Sequence, residues 1–187
     1  MTPYRRNTST DDAVLYVSAN IYSHLEKAGS SVRLMFFDFS GAFNTIQPHF
    51  LVQKLLNMKL PSTVISWIFD YLTNRLHYVR LNGVLSYVIC TNIGAPQGTV
   101  LAPFLFSLYT ADCRSTDESC PSAKFADDTE LAGKVSNDRD ALYHKQIENF
   151  LNWCDENYLY LNVYKTKEMC IDFRKNQRCI KGEAVVN

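Results

Sequence analysis

The sequence predicts an α+β fold in which a largely antiparallel sheet packs against helices. Three observations lead there. The order of periodic segments is helix, strand, two helices, hairpin, helix, hairpin, helix, strand. Asn82-Gly83 sits between two strand-like runs, a strong two-residue hairpin signal. Two further short runs flank Asp127-Asp128 and read as a second hairpin. The chain has 187 residues, 47% apolar and 20% charged, which bounds it to one domain or part of one and excludes wholesale disorder.

The elements follow in order. Ser9-Thr-Asp-Asp12 fits a capping box, and Val14, Val17, Ile21 and Leu25 recur at helical spacing, so a helix should end near Gly29. Val32 to Phe37 is a short buried strand with Asp38 at its C-terminal end. Residues 49–58 and 61–73 are helical, with Pro61 in a favourable first-turn position. Residues 76–81 and 85–91 form the Asn-Gly hairpin. After the loop 94–98, residues 99–111 are apolar nearly all round and should form a deeply buried helix. Runs 122–126 and 129–135 flank the Asp-Asp turn. Residues 138–157 form a long helix whose apolar side is Leu142, Ile147, Phe150, Leu151 and Cys154. Lys167 to Phe173 is the last strand, and residues 176–187 are a weakly specified polar tail.

Composition limits the partners. Nineteen basic residues balance nineteen acidic ones, so bulk electrostatics cannot hold a polyanion. Local basic patches or metal ions on carboxylates must do so. Lys165, Lys167, Arg174, Lys175, Arg178 and Lys181 are a candidate for such a patch and read equally well as a solvated tail. No stretch reaches the ~18 apolar residues of a membrane span and no secretory signal is visible, so an intracellular location is expected, with cytoplasm and nucleus both open. Six cysteines without a CxxC pair read as reduced, mostly buried thiols. The four histidines (24, 49, 77 and 144) have no metal-ligand spacing, so no zinc site is expected.

Three carboxylates carry the chemistry. Asp38 ends one predicted strand and Asp127-Asp128 occupy a predicted turn. If those strands are sheet neighbours, the three acids converge at one edge, where like charges repel unless a cation intervenes. Hard divalent ions, Mg²⁺ above all, suit oxygen ligands. Two of them about 3.5–4 Å apart can clamp an in-line phosphoryl displacement. An isolated Asp-Asp pair, by contrast, is more often simple turn chemistry.

The flanking residues decide between these readings. Phe37-Asp-Phe-Ser-Gly-Ala-Phe-Asn-Thr-Ile46, Gly94-Ala-Pro-Gln-Gly-Thr-Val-Leu-Ala-Pro-Phe-Leu-Phe106 and Phe125-Ala-Asp-Asp128 resemble motifs A, B and C of reverse transcriptases, in that order. Trp153-Cys-Asp-Glu-Asn-Tyr-Leu-Tyr-Leu-Asn162 with Lys165-Thr-Lys167 resembles motif D of non-LTR (LINE-type) retrotransposons. Tyr4 to Ala13 resembles the segment ahead of motif A in the same elements. The resemblance spans essentially the whole chain. It implies a polymerase palm-like fold with fingers and thumb incomplete, residues 1–187 forming a single partial reverse transcriptase domain.

The resemblance also implies roles. Asp38, Asp127 and Asp128 match the family's metal-binding carboxylates for two Mg²⁺ ions, with Mn²⁺ as the alternative. Phe43 matches the aromatic gate against a 2′-hydroxyl, and Gln97 and Gly98 match the nucleotide-binding centre of motif B. Gly94 and Gly98 should permit a backbone approach that a Cβ would block. Lys165 matches the lysine proposed to protonate departing pyrophosphate. The implied partners are an RNA template, a DNA primer and deoxynucleoside triphosphates. Without the family, Phe43 reads as a core aromatic and Lys165 as a solvated surface lysine, while Trp153, Leu159 and Leu161 are packing residues. Asn44, Phe125 and Arg6 depart from the family's common Asp, Tyr and Pro.

The expected function is therefore an RNA-directed DNA polymerase palm that extends primers weakly or not at all as an isolated fragment. A degenerate, non-enzymatic retroelement remnant is a second reading, and a metal-dependent nuclease a third. A palm without fingers and thumb should also expose apolar faces and self-associate.

Overall fold

A computed structural model of the chain describes residues 10–174 apart from positions 116 and 138. The elements are α1 (Thr10–Leu25), β1 (Ser30–Phe37), a 3₁₀ turn (Ala42–Asn44), α2 (Pro48–Asn57), α3 (Ser62–Leu72), β2 (Arg75–His77) and β3 (Arg80–Leu81). They continue with β4 (Val84–Leu85), β5 (Ile89–Thr91), α4 (Leu101–Tyr109), β6 (Ser122–Phe125), β7 (Asp128–Ser136), α5 (Ala141–Glu156) and β8 (Lys167–Ile171). Two compact units result: residues 41–110 form one, and the chain up to 40 together with that from 111 onward forms the other.

The discontinuous unit is built on a four-stranded sheet in the order β6-β7-β1-β8, with every neighbouring pair antiparallel. Strand β1 is central, which is why it is apolar on both faces. Alternation along it sends Val32 and Leu34 to one face, where they pack with Ile21 and Ala132. Met35 and Phe37 go to the other, with Leu131, Tyr143 and Ile147. A Cβ on Gly133 would lie 2.3 Å from Tyr143 Cδ2, so that glycine lets the Tyr143 ring lie flat on the strand. Arg33 adds an electrostatic tie: Nη1 donates to Asp140 Oδ2 at 2.5 Å. Its Nε lies 3.2 Å from Glu168 Oε1, an ion pair without the alignment of a hydrogen bond.

Helix α5 corrects one expectation. Leu142, assigned to its apolar side, is 43% exposed, whereas Tyr143, Gln146, Ile147 and Cys154 are buried. Positions 143, 147, 150 and 154 form the inward stripe at i, i+4, i+7 spacing, and 142 lies about 100° from it. The cysteines are also partly corrected. Cys113, Cys120 and Cys154 are buried, but Cys90 is exposed and Cys170 is disulfide-bonded. Burial raises the Cys120 thiol and raises that of Cys154 strongly, so both are inert packing groups.

In the continuous unit α2 packs on α3 and α4, burying Leu51, Leu55, Ile65, Ile68, Leu72, Leu105 and Phe106. Helix α4 is not buried all round as its composition suggests: Phe104 is 49% exposed. The Asn-Gly hairpin forms with Asn82 and Gly83 both at positive φ, 50° and 82°, as a two-residue turn of this kind requires. It is broken into two short ladders, β3–β4 and β2–β5. Arg75 anchors its base, donating to Leu72, Ile93 and Gly94 carbonyls at 3.2, 2.5 and 2.8 Å. The Ser9 cap, Arg6, half of the basic patch (175, 178 and 181) and the tail lie outside the described residues.

Candidate active site

The acidic edge arises from register. Strand β1 pairs with β7 as far as Phe37 opposite Thr129. Asp38 follows Phe37 and Asp128 precedes Thr129, so both stand one residue past the last β1–β7 pair, at the same end of the ladder. Asp128 is the first residue of β7 and pairs with Phe125, which leaves Ala126 and Asp127 as the turn. Ala126 takes φ +54°, a left-handed conformation that costs an L-residue roughly 1–2 kcal/mol and recurs at functional sites.

Electrostatics follow from that crowding. Burial first, and then the Asp127 and Asp38 charges, raise the Asp128 carboxyl above its ordinary value. Glu130, two residues along the same strand, is also raised, by burial, and its Oε1 has no hydrogen-bond partner. Lys165 Nζ lies 3.8 Å from Asp38 Oδ2, with side-chain exposures of 69% and 31%. The donor set is hard oxygen, mutually repelling and flanked by the Lys165 ammonium, a chemistry that suits divalent cations. Among the described residues no three acidic, His or Cys groups are drawn into a ready-made metal cage.

The other candidates lie in the continuous unit. Phe43 is half-buried, edge-on to Phe106 with ring centroids 5.5 Å apart. Gln97 is exposed, and its Nε2 donates to Asn44 Oδ1 at 3.2 Å. The loop before α4 is held to the 3₁₀ turn by Gly94 N–H to Ile46 C=O and Ala95 N–H to Phe43 C=O, both 2.7 Å. A Cβ on Gly94 would meet Asn44 Cα at 2.8 Å, so close approach does require glycine there. Gly98 corrects the parallel expectation: a Cβ would meet nothing within 4 Å. Its glycine answers to φ +77° instead.

Sequence reasoning did not single out three residues. Asn44 entered only as a departure from the family pattern, yet it anchors Gln97. Asn162 and Thr166 both touch the Asp38 backbone: Asn162 N–H donates to Asp38 C=O at 2.7 Å, and Asp38 N–H to Thr166 Oγ1 at 3.5 Å. No local sequence signal announces such contacts, since the partners are more than 120 residues apart.

The family model described as "Reverse transcriptase (RNA-dependent DNA polymerase)" matches residues 2–182. Two Drosophila melanogaster proteins are similar: a probable RNA-directed DNA polymerase from transposon BS, 26% identical over 154 residues, and one from transposon X-element, 27% identical over 147. Each match covers 75% of this chain and 16% of the relative. Among solved structures, telomerase from Candida tropicalis in complex with a telomeric RNA fragment superposes with a TM-score of 0.68 at 12% identity, over 87% of this chain and 30% of that one. Telomerase from Candida albicans gives 0.68 at 15% identity, over 86% and 31%. At those identities the likeness shows the fold, which is palm-like. Reverse transcriptases as a family use divalent metal ions, and among the described residues no helix is long and apolar enough to cross a membrane. With the match running nearly end to end, the chain belongs to the reverse transcriptase (RNA-dependent DNA polymerase) family, in the form carried by LINE-type elements.

Proposed function

We propose that this chain is the catalytic palm of an RNA-directed DNA polymerase that adds deoxynucleotides to a primer 3′-hydroxyl opposite an RNA template. The observation that supports the reading is that Asp38 and Asp128 stand at the same end of the β1–β7 ladder, where the Asp127 and Asp38 charges both act on Asp128. Two Mg²⁺ ions, with Mn²⁺ as substitute, would neutralise the attacking and leaving oxygens of an in-line phosphoryl transfer. Asp38 and Asp127 would be their direct ligands, with Asp128 completing the acidic edge. Lys165, an ammonium close to Asp38, would deliver a proton to the departing pyrophosphate. Phe43 would exclude a 2′-hydroxyl, and Gln97 and Gly98 would contact the nucleotide or template.

The RNA named with the telomerase structures and the activity named for the Drosophila relatives support nucleic acid as the partner. Because the chain spans 16% of those relatives and catalysis needs tight positioning of both substrates, extension by this chain alone should be weak and non-processive. Primer extension on an RNA template with Mg²⁺ tests the reading. Addition of one or a few deoxynucleotides, abolished by Asp127→Asn, supports it. Extension that survives Asp127→Asn, or strand cleavage without extension in Mn²⁺, overturns it, the latter in favour of a nuclease.

A further inference from the structure

Strand β8 pairs with β1 from Ile171 opposite Val32 to Lys167 opposite Phe36. Beyond that point the register breaks: Phe39 is bridged to Leu161, so residues 162–166 are looped out of the ladder directly beside Asp38. The loop is a closed turn. Lys165 and Thr166 both donate their N–H to the Asn162 carbonyl, at 3.1 and 2.8 Å. Its entry side is fastened to the strand leaving β1, and its exit runs into the β1–β8 ladder at Lys167 opposite Phe36. Asn162 N–H donates to Asp38 C=O and Ser40 N–H to Tyr160 C=O, each at 2.7 Å.

Thr166 lies at the centre of this clamp. It is 2% exposed, so water does not replace a lost partner, and a buried hydroxyl is normally hydrogen-bonded. Among the described residues its partner is the Asp38 N–H at 3.5 Å. That bond is long, but the backbone bonds on either side hold the two groups facing each other. The same turn lifts Lys165 out of the sheet and brings its ammonium to 3.8 Å from Asp38 Oδ2. A single side chain thus fixes the peptide that carries one carboxylate and the turn that carries the neighbouring ammonium.

We infer that Thr166 is a positioning residue for the metal-binding edge, its buried hydroxyl orienting Asp38 by accepting from the Asp38 amide. The inference rests on the reading of Asp38 and Asp127 as metal ligands. Groups that orient a ligand without touching the metal commonly change its affinity 10- to 100-fold. Thr166→Val keeps the shape and deletes the acceptor, whereas Thr166→Ser keeps the acceptor.

The test is Mn²⁺ binding to the full 187-residue chain, followed by electron paramagnetic resonance of free Mn²⁺, with thermal melts in chelator as the control for folding. Thr166→Val should weaken Mn²⁺ binding about tenfold at a melting temperature close to the parent's, and Thr166→Ser should restore it. Equal affinity in parent and Thr166→Val overturns the inference, as does equal loss in the Val and Ser variants. Should Thr166→Val not fold, amide exchange in the parent decides: Asp38 N–H should exchange slowly, and exchange as fast as in an exposed loop rejects the bond. Parent binding that is unaffected by both Asp38→Asn and Asp127→Asn, or no binding at all, removes the metal-site reading itself and the inference with it. That outcome is distinct from a failure confined to Thr166.

Discussion

Asp128 shows how a single residue reports on the site. Its carboxyl is raised above the ordinary value by burial and by the Asp127 and Asp38 charges, so the folded state binds its proton more tightly than the unfolded chain does. Such a group stabilises the fold at low pH, and that stability is lost as pH rises through the folded-state value. At pH 7 the ionised Asp128 therefore works against folding. In metal-free buffer Asp128→Asn should melt a few degrees above the parent at pH 7, with the difference fading as pH falls into the carboxylate range. Mg²⁺ should raise the parent's melting temperature by mass action and the variant's by less. Calorimetric scans with and without chelator check both. A variant that melts at or below the parent at pH 7 would show that repulsion at this edge is negligible. The same residue scale separates Gly94 from Gly98. One is glycine because a backbone crosses within van der Waals distance, the other because its φ is left-handed.

Among elements, the packing of α5 on the sheet depends on one absent side chain. Gly133 of β7 leaves room for Tyr143, and a Cβ there would overlap the ring. The overlap involves the Tyr143 Cβ at 3.0 Å as well as its ring atoms, so a simple ring rotation cannot relieve it. Gly133→Ala should therefore destabilise the chain by about 1–3 kcal/mol through overpacking. Pairing it with Tyr143→Leu should recover part of the loss, because residues in contact are not additive. Denaturant melts of the two single variants and the double variant measure the coupling. Strict additivity would mean that the helix had already shifted away from the strand. This pair could not be read in advance. Periodicity assigned α5 an apolar side that included Leu142, but a pattern of spacing does not say which of two adjacent apolar residues faces a glycine on another strand.

At the scale of the whole molecule, the β2–β5 segment exposes a run of apolar side chains among the described residues. Leu76, Val79, Leu81, Val84, Leu85, Val88 and Ile89 are all exposed, and Tyr87 is 94% exposed. Nothing in the described residues covers it. Contiguous apolar surface of this kind drives association in water. The chain should self-associate at micromolar concentration, and Val84→Lys with Val88→Lys should shift it toward monomer. Sedimentation velocity of both forms checks this. A parent that remains monomeric at high concentration would show that the segment is tolerated in water.

Most of the architecture was legible in the sequence. Helix, strand and hairpin positions follow from local periodicity and turn chemistry, which act within a few residues and so are written in adjacent positions. The three acids and the ordered motifs around them were legible for the same reason: each motif is a short contiguous word. Tertiary structure decided what those words do to one another. It brought the Asp38 charge to bear on Asp128 at the end of the β1–β7 ladder, looped residues 162–166 out beside Asp38, and put the Thr166 hydroxyl against an amide more than 120 positions away. Register and burial are properties of paired strands and packed faces. They arise only when distant segments meet, and no single segment encodes them.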